Sequence, residues 1–229
     1  MAKIKTAYYC QKCGTQYPQW HGQCKNCGEW NTLVEEIVEK KSSHYDILGS
    51  GKQKIINITE VETGTEIRLK TVSEELNRVL GGGIVLGSVI LIGGEPGIGK
   101  STLLLQLALK MKKKILYVSG EESASQIKMR ADRITDIQNP NCFLYTETSI
   151  EKILMEAKNL QPDLMIVDSI QTLQSQLLES AAGTVSQIRE CSGELIKFAK
   201  EKNIPVILVG HITKDGQIAG PKVLEHMVD

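Results

Sequence analysis

The sequence predicts an α/β fold in which a mostly parallel sheet carries a phosphate-binding loop, with a small cysteine-rich module ahead of it. Three observations predict this. From about residue 88 onward, short apolar runs alternate with helical stretches, the signature of a buried parallel sheet with helices on both faces. Gly94-Glu95-Pro96-Gly97-Ile98-Gly99-Lys100-Ser101 lies between the apolar run Ser88–Ile92 and the helical stretch Thr102–Met111. Four of the six cysteines fall in two copies of Cys-x-x-Cys-Gly within the first 28 residues. A chain of 229 residues with 41% apolar and 24% charged residues can form one α/β domain plus something small.

At the N-terminus, Cys10, Cys13, Cys24 and Cys27 present four thiolates from two tight turns, a set suited to tetrahedral Zn²⁺. Gly14 and Gly28 follow the second cysteine of each pair, where a residue lacking Cβ takes φ > 0. Disulfides and a redox Cys-x-x-Cys are the alternatives, but a redox motif needs no twin. Five of the ten aromatics, Tyr8, Tyr9, Tyr17, Trp20 and Trp30, crowd into this segment with Lys3, Lys5, Lys12 and Lys25. Two readings are open: a stacking surface for single strands, and, as the favoured one, a water-excluding cover for the metal in a module too small for an aliphatic core. The module is expected over residues 1–34, a charged and Ser/Gly-rich linker over 35–54, and the ATPase-type domain over 55–229.

Within that domain, Ile55–Ile58 and Glu66–Leu69 read as short strands, and Val72–Leu80 as a helix capped by Ser73. After the phosphate loop, strands are expected at Ile115–Ser119, Phe143–Tyr145, Leu164–Asp168 and Val206–Gly210. Helices are expected near Ser123–Arg133, Ile150–Asn159 and Val185–Lys202.

The loop Gly94–Thr102 is expected to bind ATP or ADP. Its glycines let backbone N–H groups face the β-phosphate, Lys100 reaches the β/γ oxygens, and Ser101 offers a hydroxyl to Mg²⁺. Ligands of open α/β sheets collect at the carboxyl ends of strands, and each end here is polar. Leu164-Met165-Ile166-Val167-Asp168 delivers one carboxylate, Asp168, toward Mg²⁺. Glu121 and Glu122 follow Ser119 beside the expected γ-phosphate, one to activate water and one facing the helix that Ser123 caps, with Gln126 closing a capping box. His211 ends the last strand, placed to sense the γ-phosphate.

Formal charge is zero, 27 basic against 27 acidic residues, so bulk electrostatics gives no reason for nucleic-acid binding and any such contact must be local. No stretch approaches the ~20 apolar residues that span a bilayer, and a cytoplasmic, non-membrane protein is expected.

The twin Cys-x-x-Cys-Gly, Arg78–Ser88, Gly93–Thr102, Val118–Ser123, Val167–Thr172 and Gly210–Lys214 together resemble the RadA/Sms family, bacterial RecA-related ATPases of DNA repair and recombination. The resemblance covers nearly the whole chain. It implies a RecA-like P-loop NTPase core behind a zinc ribbon or knuckle, and a DnaB-like ring helicase, hexameric, that promotes branch migration on single-stranded DNA and branched recombination intermediates alongside a RecA-type recombinase. Aligned residue by residue, Glu121 takes the place of the RecA catalytic glutamate and His211 that of its γ-phosphate-sensing glutamine. Lys100 and Ser101 hold phosphate and Mg²⁺, and Thr213 and Lys214 begin a DNA-facing loop. The family continues past the position of Asp229 with a Lys-Asn-Arg-Phe-Gly motif and a Lon-protease-like domain, so the ATPase domain is expected to be truncated at its C-terminal end and its turnover weak. The competing expectation is a regulatory ATP switch on the same RecA-like core, acting through protein contacts. A small-molecule kinase would need an arginine-bearing lid that the sequence does not offer.

Overall fold

The computed structural model describes residues 5–38, 57–60, 68–134, 139–211, 224 and 227–229. The N-terminal ribbon is a three-stranded antiparallel sheet. Strand β1 (Lys5–Cys10) is central, between β2 (Gln16–Tyr17) and β3 (Leu33–Val38), with Tyr8 opposite both Tyr17 and Glu35. Thus β3 carries the sheet past residue 34, while residues 39–54 of the expected linker, and Ile55 and Ile56 of the strand expected after it, lie outside the described residues.

A two-stranded antiparallel pair, β4 (Arg68–Leu69) with β5 (Ile84–Val85), flanks helix α1 (Glu74–Val79). Ser73 is the N-cap: its side-chain oxygen accepts the Leu76 N–H at 3.2 Å. Ile58–Glu60 forms a single 3₁₀ turn rather than the end of the expected strand.

The main sheet has five parallel strands: β6 (Val89–Gly94), β7 (Ile115–Ser119), β8 (Cys142–Thr146), β9 (Leu164–Asp168) and β10 (Val206–His211), in spatial order β6-β10-β9-β7-β8. The helices α2 (Lys100–Lys110), α3 (Ala124–Ile134), α4 (Ile150–Leu160) and α5 (Val185–Lys202) cross between them. Sequence and packing agree through the period-two alternation of strands. On β7, Leu116 and Val118 join one core with Ile150, Ile153 and Ala157 of α4 and Ile188, Cys191 and Leu195 of α5. Ile115 and Tyr117 join a second core with Leu104, Leu107 and Ala108 of α2 and Ile127 and Ala131 of α3. The fold is therefore α/β and RecA-like, with helices on both faces of a sheet whose central strands are apolar up to their polar carboxyl ends because neither face meets water. Among the described residues no helix is long and apolar enough to cross a membrane.

Among the described residues the ribbon meets the larger domain at α5, where the Arg189 guanidinium donates to the Gly14 carbonyl at 3.2 Å.

Candidate nucleotide and metal sites

The four cysteine Sγ atoms lie within 4.8 Å of one another. Cys10 and Cys27 are 3.6 Å apart and Cys13 and Cys24 are 3.5 Å apart. Tetrahedral Zn–S bonds of about 2.3 Å place sulfurs about 3.8 Å apart, whereas a disulfide needs about 2.05 Å, so the quartet fits zinc. Each knuckle closes the same way: Gly14 N–H donates to Cys10 O and Gly28 N–H to Cys24 O, both at 2.8 Å, with φ of 71° and 74°. Hydroxyls approach three of the sulfurs, Thr32 on Cys10 and Thr15 on Cys13 at 3.2 Å and Tyr17 on Cys24 at 3.3 Å. Burial raises the Cys24 thiol, but the Tyr17 hydroxyl and the Cys27 and Asn26 amides overcome it, leaving Cys24 at about 6. Cys27 is pushed up to about 12, by burial first and then by neighbouring thiols despite the opposing Glu29 amide. The set holds several thiolates at once only with a cation among them.

The aromatics of the ribbon divide. Tyr8 and Tyr17 pack against the cysteine cluster, as a metal cover requires. Trp20 and Trp30 do not; they are 54% and 67% exposed.

In the larger domain the carboxyl ends of β6, β10, β9 and β7 line up along one sheet edge, His211 pairing with Gly94 and Ser119 with Asp168. At about 4.8 Å per strand, the phosphate loop, His211, Asp168 and Glu121 follow one another over about 14 Å. Gly97 and Gly99 have φ of 80° and 104°, so the loop curls before α2. Gly99 caps that helix without a side-chain hydrogen bond, which leaves the first-turn N–H groups for an anion. Lys100 is buried, and its Nζ donates to the carbonyls of Gly94 and Glu95 at 2.7 and 2.9 Å. That places a cation inside the loop, where a phosphate oxygen can exchange for the carbonyls. Ser101 and Thr102 continue the first turn, and Glu95, Pro96 and Ile98 form the exposed crest.

Asp168 is 7% exposed, and its Oδ2 accepts the Tyr117 hydroxyl at 2.7 Å. Sequence reading passed over Tyr117 as a core position of β7; its alternation onto the face of Ile115 gives it a hydroxyl at the end of a buried ring. Burial, then the Asp168 carboxylate, raises the Tyr117 phenol above its ordinary range, so it stays a donor. One carboxylate oxygen is thereby fixed, and a carboxylate is a donor type that Mg²⁺ accepts.

Past Asp168 the chain takes a cis peptide to Ser169. Ser169 donates to Glu121 Oε1 at 2.6 Å, and the same oxygen lies 3.2 Å from His211 Nε2. The two residues singled out for water activation and phosphate sensing thus touch each other, through a link the sequence did not reveal. The adjacent carboxylate is differently engaged: Glu122 is ion-paired with Arg130 of α3. Ser123 and Gln126 form the expected capping box, Ser123 N–H donating to Gln126 Oε1 at 2.9 Å and Gln126 N–H to Ser123 Oγ at 3.4 Å. Gly120 is a point of close approach, where a Cβ would lie 2.0 Å from Thr172 Oγ1 and 2.7 Å from Thr172 Cβ. Thr213 and Lys214 lie outside the described residues.

Comparison with known proteins agrees with these features. Residues 58–217 match the family model described as an AAA domain, and residues 8–35 match one described as a rubredoxin metal binding domain. The DNA repair protein RadA of Bacillus subtilis is 50% identical over 236 residues, covering 100% of this chain and 51% of that protein. RadA of Aquifex aeolicus is 50% identical over 231 residues and RadA of Listeria monocytogenes 48% over 235, with the same coverage. The chain therefore spans about half the length of the curated relatives it matches.

Proposed function

The chain belongs to the AAA-domain family and is a P-loop ATPase, and from that premise we propose that it couples ATP turnover to single-stranded DNA in repair and recombination. The observation that carries the reading is the hydrogen-bonded pair Glu121–His211, 3.2 Å apart, which joins the end of β7 to the end of β10. Lys100 and the amides of Gly94–Thr102 hold the β- and γ-phosphates, while Ser101 and Asp168 hold Mg²⁺. When bound, Mg²⁺ neutralises charge developing on the phosphate oxygens. Glu121 orients a water for in-line attack on the γ-phosphorus and takes its proton as the bond to the β,γ-bridging oxygen breaks, giving ADP and phosphate. Glu122, committed to Arg130, is not the base.

His211 then reads the γ-phosphate by exchanging Glu121 for a phosphate oxygen. Because His211 ends β10, that exchange is passed to the chain beyond it, where Thr213 and Lys214 contact the strand. Assembly into a homo-oligomeric, hexameric ring, DnaB-like helicase action in branch migration, branched intermediates as substrate and a RecA-type recombinase as partner belong to the same proposal. It rests on the repair function named for the RadA relatives. A cytoplasmic setting suits four thiolates kept for metal rather than paired as disulfides.

The test is fluorescence anisotropy of a labelled single-stranded oligonucleotide without nucleotide, with ADP and with a non-hydrolysable ATP analogue, across a salt series. Affinity that changes with nucleotide and falls with salt is expected. Nucleotide-dependent oligomers with no DNA affinity would favour the regulatory switch instead. In parallel, Glu121→Gln should lower hydrolysis by about 10²–10⁴ with nucleotide binding kept, Glu122→Gln far less, and Lys100→Ala should abolish nucleotide binding.

A further inference from the structure

The chain has two tryptophans, both in the ribbon, and both stand out from it. Their exposure, 54% for Trp20 and 67% for Trp30, is unusual for the residue with the largest apolar area to bury. The module has a metal cluster to cover, and it covers it with Tyr8 and Tyr17 instead.

The two indoles form a pair. A Cβ at Gly22 would lie 3.6 Å from Trp30 Cζ3 and 3.7 Å from Trp20 Cη2, so both rings border the same open spot above Gly22. Neither stacks on another ring; among the described residues the one ring pair is Tyr17 with His21. The platform is fixed from beneath. Gln23 and Trp30 form a β-bridge, Asn31 N–H donates to Gly22 O at 2.7 Å, and Cys24 N–H donates to Glu29 O at 2.8 Å. Rings held on a metal-knuckle backbone lose little freedom on binding.

The local charge selects the partner. Between residues 18 and 32 the single carboxylate is Glu29, and it is ion-paired with Lys12. Lys25, in the second knuckle, is exposed and has no ion-pair partner among the described residues. The segment therefore offers two π-faces and a cation with no unpaired acid within residues 18–32, which is the composition of a base-stacking platform for single strands.

We propose that Trp20 and Trp30 form a second contact for single-stranded nucleic acid, stacking its bases on the ribbon while Lys25 meets a phosphate. This rests on the DNA-directed reading above but concerns a different part of the molecule from the nucleotide edge.

The experiment uses the zinc-loaded full chain and unlabelled oligo(dT). Because no other tryptophan is present in the sequence, emission under excitation selective for tryptophan over tyrosine reports on these two rings alone, while anisotropy of a labelled copy reports on total binding. Emission should be quenched along the same isotherm as the anisotropy, and a duplex of equal length should quench little. Trp20→Ala or Trp30→Ala should weaken binding roughly five- to hundredfold. Gly22→Leu, which fills the spot between the rings and leaves both in place, should do likewise. It serves as the deciding variant if either alanine form fails to retain zinc. Unchanged emission with normal anisotropy, or wild-type affinity in Gly22→Leu, would overturn the ribbon contact while leaving the DNA-directed function intact. No binding by either readout would overturn both.

Discussion

Replacing Tyr117 by phenylalanine removes one oxygen atom and leaves the ring, so its effect isolates the bond that holds Asp168. The ring is 1% exposed and the hydroxyl donates to the carboxylate at 2.7 Å. Loss of a hydrogen bond to a charged, buried acceptor costs about 1.5–3 kcal/mol, and the retained ring opens no cavity of consequence. A loss of about 2 kcal/mol lowers the melting temperature of a domain of this size by about 4–8 °C. Circular dichroism at 222 nm is the suitable signal, since the five α-helices among the described residues lie between Glu74 and Lys202 and the described ribbon contributes none. The decisive measurement is a double-mutant cycle with Asp168→Ala. In that background Tyr117→Phe should cost under about 0.5 kcal/mol, because no carboxylate remains to be stranded. An equal loss with and without Asp168, or no loss in either, would refute the assignment of Tyr117 as the residue that fixes the Asp168 carboxylate.

Zinc analysis should find one ion per chain, and chelation should collapse the ribbon, visible in tryptophan emission, while the 222 nm signal persists. Structural zinc contributes roughly 10–16 kcal/mol of apparent binding free energy in small modules, so an ordered ribbon without metal would sink the idea. Glu147, just before α4, is held at about 2, first by the Ser149 amide and then by Lys152 and the Thr148 amide. A carboxylate lowered in the folded state stabilises fully above its unfolded value near 4.5 and loses that contribution as pH falls toward about 2. Glu147→Gln should therefore melt below the parent at pH 7, with the gap closing across that window; a pH-independent gap would show that the charge is not responsible.

What the sequence made legible was what local chemistry dictates. The strand–loop–helix at Gly94–Ser101, the limits of α5 and the cysteine quartet follow from spacing and periodicity alone. Asp168 was legible only with the phosphate loop upstream of it, since an apolar run that ends in one acid can also be a strand-ending cap. The strand order was not legible, because it depends on pairings between segments far apart in the chain. Tyr117 was missed for the same reason: its apolar ring satisfies the core pattern, and only the β7–β9 register brings its hydroxyl to Asp168. The Glu121–Ser169–His211 contact joins three loops and leaves no periodic trace. The exposed tryptophans went against the favoured reading, since composition says how many aromatics a module has but not which of them face the metal.

Gly120 and Gly28 are constrained in opposite ways, and random mutagenesis should separate them. At Gly28 a Cβ meets nothing within 4 Å and the demand is for φ of +74°, a conformation asparagine reaches at modest cost, so some variants should survive there. At Gly120 the demand is for space, with Thr172 Oγ1 2.0 Å from any added Cβ. Every missense change of a glycine codon adds that atom, whatever chemistry follows it. Selection for ATP turnover should therefore leave position 120 without a tolerated substitution, polar, apolar or conservative, and suppressors should arise at Thr172.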